Sequence, residues 1–292
     1  MYSKILVPLD GSKTAEAVLP YSKFLAETLH LPVQIVHAVD PKIVAPAGQS
    51  NREMEYLKGA AVAYLGSVST DCVVKSGAPA EIIVDTASAD AGALIAMATH
   101  GQSGGQRWLL GQVAQKVLQA AKNPLVLIRP TDANKATSAG RFHRIIVPLD
   151  GSHLAERVLP HVVYLATQLQ SEVVLMRTYT QPTTGYFMAA GISHPDTAAL
   201  GEKMKQEVGG YLESKAGELK AQGLSKISSH LVEGHGAEEI IELAQRNADS
   251  LIALASHGRS GFGRWVLGSV TERVVSYSGA PVLVIRPEAS ST

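Results

Sequence analysis

Ile5-Leu6-Val7-Pro8-Leu9-Asp10-Gly11-Ser12 returns later in the chain as Ile145-Ile146-Val147-Pro148-Leu149-Asp150-Gly151-Ser152. Each copy goes on to Ala-Glu and then Val-Leu-Pro. Downstream, Trp108-Leu109-Leu110-Gly111 answers Trp265-Val266-Leu267-Gly268, and Pro124-Leu125-Val126-Leu127-Ile128-Arg129-Pro130 answers Pro281-Val282-Leu283-Val284-Ile285-Arg286-Pro287. The spacing between copies is constant at the start and again at the end, which marks a duplicated domain and not a short solenoid repeat. A chain of 292 residues also exceeds what one hydrophobic core usually supports. Residues 131–140 are small and polar with no apolar period, as linkers are. The expected organisation is a domain at 1–130, a linker at 131–140 and a second domain at 141–292.

Within each copy, short runs rich in Val, Ile and Leu alternate with segments of helical spacing such as Ala15, Val18, Leu19, Ser22, Leu25, Ala26 and Leu29. The runs are 5–9, 33–39, 72–74, 93–98 and 125–128 in the first copy, and 145–149, 173–176, 227–232, 250–255 and 282–285 in the second. Strands apolar throughout imply burial on both faces, and helical crossovers imply parallel pairing. The predicted fold class is α/β: two tandem doubly wound domains, each a five-stranded parallel sheet flanked by helices, Rossmann-like in architecture.

Composition narrows the partners. Lys and Arg number 26 against 26 Asp and Glu, so no net field draws the chain to nucleic acid or to an anionic membrane. No apolar stretch is long enough to span a bilayer, and Met1 to Pro8 runs into a strand without the regions of a signal peptide. The single Cys72 allows no intrachain disulfide framework and reads as a buried strand residue. Cytoplasmic residence and no membrane insertion are the expectations. The histidines show no metal-site spacing with a second ligand set.

Ligands of an open parallel sheet collect beyond the carboxyl ends of the strands, where strand order reverses. The loop after the first strand carries Pro8 and Asp10 in one copy, Pro148 and Asp150 in the other. An Asp there accepts hydrogen bonds from a sugar hydroxyl or an amino group, and the same Asp-Gly-Ser also suits a turn and a helix cap. After the fourth strand of the second copy, a glycine-rich segment from Gly258 to Gly268 runs into Ser269-Val270 and a helix. Glycine backbone, a helix amino terminus, the Ser269 hydroxyl and the cations Arg259 and Arg264 make a cradle suited to phosphate, glycine permitting close approach and positive φ. No G-x-x-x-x-G-K-[ST], no G-x-G-x-x-G after a first strand and no G-x-S-x-G occurs, which argues against Walker NTPases, dinucleotide enzymes and nucleophile-elbow hydrolases.

At these residues the chain resembles the universal stress protein family over nearly its whole length. The family's ATP-binding members carry G-x-x-G, nine residues, then G-[ST], with V-P-x-D-G-S after the first strand. Gly258, Gly268 and Ser269 match, with Ala255 at the first glycine. Gly101 and Gly111 match in the first copy, with Ala98 and Gln112 as departures. The resemblance implies that Asp10 and Asp150 lie at the adenosine, with Pro8, Pro148, Ala38 and Thr178 near the base. It implies that Gly101, Gly111, Gln112 and Val113, and Gly258, Gly268, Ser269 and Val270, surround ribose and phosphates. It further implies ATP as ligand with Mg²⁺ on the phosphates, a stress-response role, and association through the final strands, which the two domains of one chain can pair internally; a homodimer of two such chains is compatible with this. A slow ATP hydrolase, or an interaction module with degenerate sites, are the alternative readings; no activated nucleophile or paired base is set out by motif. Asp10 to Gly101 spans 91 positions and Asp150 to Gly258 spans 108, so the second copy carries 17 extra residues. Most fall around 180–200, where a lid, a contact loop or disorder is expected.

Overall fold

The structure is a computed structural model that describes residues 1–40, 49–100, 110–130, 141–180, 197–256 and 268–286. Ten strands alternate with helices: β1 Lys4–Pro8, β2 Val33–Val39, β3 Thr70–Ser76, β4 Ala93–Ala98, β5 Leu125–Ile128, β6 Arg144–Pro148, β7 Glu172–Tyr179, β8 Ile227–Glu233, β9 Ser250–Ala255 and β10 Val282–Ile285. They form one sheet in the order β3-β2-β1-β4-β5-β10-β9-β6-β7-β8. Each half is parallel, as apolar strands joined by helical crossovers require. The two halves meet where β10 pairs antiparallel with β5, Leu283 opposite Val126.

Side chains alternate across the sheet and fill two cores. Ile5, Val7, Ile145, Val147, Val173 and Leu175 face one side, covered by helices Leu19–Leu29, Gln49–Ala60, Leu159–Leu169 and Thr197–Ala221. Leu6, Ile146 and Met176 face the other, covered by Pro79–Ser88, Gln112–Ala120, Gly236–Gln245 and Ser269–Tyr277. The repeated Leu-Pro opens helices Leu19–Leu29 and Leu159–Leu169, where proline loses no hydrogen bond. Both helices end on a left-handed residue, His30 and Gln170. Cys72 lies on the edge strand β3 and is only half-buried, a correction to its reading as a buried residue; an edge strand is covered on fewer sides than a central one. Burial still pushes its thiol above the ordinary range. Expected linker 131–140 and most of the 180–200 segment lie outside the described residues, while Thr197 to Leu200 open the long helix Thr197–Ala221.

Contacts across the junction come in reciprocal pairs. On one face Tyr2 packs edge-on against Tyr164, centroids 5.6 Å apart, and against His161 at 5.8 Å. The corresponding Phe142 stacks on Tyr21 at 5.8 Å and meets Phe24 edge-on at 6.0 Å. Such pairs contribute about 0.5–1.5 kcal/mol each beyond burial. On the other face Arg286 Nη1 donates to the Gln119 carbonyl at 2.7 Å, putting a cation at the carboxyl end of helix Gln112–Ala120. Its counterpart Arg129 lies near Tyr277, at the end of helix Ser269–Tyr277.

The two aromatic clusters differ in one respect. Tyr2 Oη and His161 Nδ1 are hydrogen-bonded at 2.9 Å, and burial, with the nearby amino terminus, lowers the His161 pKa. A lowered folded value favours the neutral ring, so its contribution to stability is full above the unfolded value of about 6.5 and is lost as pH falls through the folded value. His161→Tyr installs the side chain that the first copy carries as Tyr21. Urea unfolding at about pH 7.5 and about pH 5.5 should show a smaller acid-induced loss of stability in His161→Tyr than in the wild type.

Candidate functional site

The order β2-β1-β4 in the first half and β9-β6-β7 in the second puts a reversal of strand order beside β1 and β6, and a cleft lies beyond the carboxyl end of each. The second cleft is a cavity of about 440 Å³ whose walls include Pro148, Asp150, Thr178, Gly268, Ser269 and Val270. The first, of about 650 Å³, includes Pro8, Asp10, Ala38, Gly111, Gln112 and Val113. Residues far apart in the sequence are thus gathered into one cavity per copy. Gly101, Gly258, Arg259 and Arg264 lie outside the described residues.

The Asp-Gly-Ser turns are built alike. Asp10 Oδ1 accepts from the Ser12 amide at 3.0 Å and from its hydroxyl at 2.6 Å, and Ser12 Oγ caps the short helix Lys13–Glu16 by accepting from the Ala15 amide at 3.0 Å. Asp150 Oδ1 accepts from the Ser152 amide at 2.9 Å, and Ser152 Oγ from the Ala155 amide at 3.1 Å. Gly11 and Gly151 have φ of 86° and 84°, the left-handed region that glycine enters without strain. Turn formation and exposure of the Asp to the cleft therefore coexist.

The glycines opening the helices Gln112–Ala120 and Ser269–Tyr277 serve another purpose. Gly111 and Gly268 have φ of −61° and −60°, and neither helix has a side-chain cap. Positive φ, one of the two reasons expected for glycine in this loop, does not apply at these two positions. Close approach does: a Cβ on Gly111 would stand 2.9 Å from the Thr99 carbonyl oxygen, to which the Gly111 amide donates at 2.8 Å. Gly268 donates likewise to Ser256 at 3.0 Å. Ala98 and Ala255 end β4 and β9, and among the described non-glycine residues only His30 and Gln170 have positive φ, so these alanines are unstrained. His100 Nδ1 is hydrogen-bonded to Thr99 Oγ1 at 3.0 Å.

Under each cleft lies a polar cluster that sequence reasoning missed. Glu16, only 4% exposed, accepts from Tyr56 at 3.2 Å, Tyr64 at 3.0 Å and Lys13 at 2.7 Å. Glu156 accepts from Tyr211 at 2.8 Å and pairs with Lys215 at 3.2 Å. Burial first, and then the carboxylate partner, raises the Tyr56 and Tyr211 hydroxyls well above the ordinary tyrosine range. These bonds fasten the helix after β2 or β7 to the first loop. The signal in the sequence was the Glu repeated after each Asp-Gly-Ser. The cleft walls then diverge: at one strand position the first copy has His37, with Nδ1 2.9 Å from the Leu9 carbonyl and Nε2 3.5 Å from Glu53. The second has Arg177, its guanidinium carbon 4.7 Å from the Tyr211 ring centroid. Neither residue belongs to the motif.

A doubly wound sheet with a cleft at each reversal defines a Rossmann-like α/β protein, duplicated within one chain. Its sequence matches the model of the universal stress protein family over residues 1–129 and again over 141–286, and the chain belongs to that family. A universal stress protein of Mycobacterium tuberculosis is 24% identical over 301 residues, covering 97% of this chain and 96% of its own. One from Methanocaldococcus jannaschii is 28% identical over 159 residues, covering 51% of this chain and 98% of its own. The crystal structure of a universal stress protein from Archaeoglobus fulgidus shares the fold, with a TM-score of 0.67 at 20% identity over 97% of this chain and 96% of that one. Among the described residues no helix is long and apolar enough to cross a membrane.

Gly111→Ala should destabilise the protein by about 1–2 kcal/mol, because the added methyl has only backbone to push against. Urea unfolding measures this, and a change below a few tenths of a kcal/mol would mean that the junction gives way freely.

Proposed function

We propose that the protein binds ATP, foremost in its second cleft, and uses nucleotide occupancy as a conformational or partner-choice signal in a cytoplasmic stress response. The observation that carries this reading is the convergence of Pro148, Asp150, Thr178, Gly268, Ser269 and Val270 on one cavity. It supplies a carboxylate for sugar or amino groups at one side. At the other it supplies an uncapped helix start suited to phosphate. Mg²⁺ would travel with the phosphates; among the described residues no three His, Cys, Asp or Glu side chains gather to hold a metal.

The ranking of the clefts rests on charge. Asp10, Asp40 and Glu53 line the first, where carboxylates oppose a polyanion. In the second, Asp150 is the one carboxylate among the described lining residues and Arg177 offsets it. The loops add Arg259 and Arg264 on that side against Gln102 and Arg107 on the other. A well-formed charge-assisted hydrogen bond contributes about 1.5–3 kcal/mol, so one such contact shifts affinity by about tenfold or more.

Calorimetric titration with ATP should show tighter binding that Asp150→Ala removes and Asp10→Ala does not. The reverse pattern would assign the tighter site to the first half. Binding should also proceed without appreciable turnover, since Asp150 already accepts the Ser152 amide and no second carboxylate stands beside it among the described residues of that cleft. Sustained multiple-turnover phosphate release, abolished by one substitution in either cleft, would overturn this.

A further inference from the structure

We infer that Arg177, backed by Tyr211, is the residue that recognises the base of the bound nucleotide in the second cleft, by stacking and not by neutralising phosphate. The inference rests on the nucleotide reading of that cleft and adds to it a specificity-determining residue. Arg177 forms part of the cavity wall, and the Tyr211 ring lies beneath it, 4.7 Å from the guanidinium carbon to the ring centroid. The ring is itself held, its hydroxyl donating to Glu156 at 2.8 Å. The guanidinium tips rest against the Asp-Gly-Ser turn, so close that a Cβ on Gly151 would stand 2.8 Å from Nη1. The cation is thus packed against the ring and the turn while forming part of the cavity wall, and a guanidinium in such a wall can offer a ligand its flat face. That face suits an aromatic ring, and stacking leaves the N–H groups at the edge to their protein partners.

Position separates this role from phosphate binding. The helix start at Gly268 follows β9, whereas Arg177 lies near the carboxyl end of β7, and β6 runs between them. Two strand spacings, about 10 Å, therefore divide the two features. They also lie on opposite sides of the sheet: Arg177 alternates with Leu175 and Val173 on one face, while helix Ser269–Tyr277 packs through Val274 on the other. A nucleotide with its phosphates at the helix start lays its far end, the base, toward β7. At the equivalent position the first cleft has no guanidinium: His37 stands there, with its ring nitrogens turned to Leu9 and Glu53.

The test is calorimetric titration of the full chain, as wild type, Arg177→Ala and Arg177→Lys, with ATP and with adenosine, following the tighter phase. Arg177→Ala should weaken both ligands by the same factor, about tenfold. Arg177→Lys should be as weak as the alanine form, since an ammonium keeps the charge and lacks the plane. It also keeps the stem over Gly151 and answers the question should the alanine form fail to fold. Loss of ATP affinity with adenosine unchanged, or full recovery by lysine, would show a charge acting on phosphate and overturn the inference while leaving nucleotide binding intact. A wild-type chain that binds neither ligand would remove the nucleotide reading and this inference with it.

Discussion

Three residue pairs between β5 and β10 hold the arrangement of the whole molecule. An apolar final strand left bare at a sheet edge invites uncontrolled pairing, and in this chain each half supplies the other's missing neighbour. Because β5 is parallel to β4 and β10 to β9, an antiparallel join turns one half end for end relative to the other. The carboxyl ends of β1 and β6 therefore point in opposite directions, and the two clefts open at opposite ends of the sheet. The same rotation keeps helices Leu19–Leu29 and Leu159–Leu169 on one face. There Tyr2 can reach His161 as Phe142 reaches Tyr21. On the other face it brings Arg286 to the end of helix Gln112–Ala120.

The scaffold of the two clefts is the same and their chemistry is not. Both use an Asp-Gly-Ser turn, a Glu joined to a tyrosine of the helix after the second strand, and a helix started by glycine. What differs is the side chains that the scaffold presents: Ala38 against Thr178, His37 against Arg177, Gln112 against Ser269. Framework positions kept alike preserve the shape of a cavity, while wall positions can change its charge at little cost in stability, since surface substitutions away from packed features usually shift stability by less than about 0.5 kcal/mol.

The strands were readable because burial on both faces leaves runs of Val, Ile and Leu. Runs 33–39, 93–98, 125–128, 250–255 and 282–285 match the observed strands to the residue. The two edge strands fared differently: 72–74 covers only part of Thr70–Ser76, because partial exposure there admits polar residues, whereas 227–232 falls one residue short of Ile227–Glu233. Asp150 could be named because a tight turn into a helix favours its residue type, and Gly268 because the glycine before the helix repeats between the copies. Glu16 with Tyr56, and Arg177 with Tyr211, could not, because their partnership depends on a helix laid over the sheet and no turn or cap dictates it. The expectation of positive φ at the helix-opening glycines failed for a related reason: the closeness of the Thr99 carbonyl to Gly111 is a tertiary fact.

Joining the two halves in one chain has a consequence for the junction itself. Where two identical subunits meet about a twofold axis, every substitution is made twice, and a residue that improves one contact must be tolerated at its mirror image. Here Tyr2 faces His161 while Phe142 faces Tyr21, a combination that no pair of identical subunits can adopt. Covalent continuity also makes the pairing independent of dilution, because the partner is always at hand. Each contact at the junction is therefore free to drift on its own, and one arm of a symmetric design can acquire a polar, titrating character while the other remains oil.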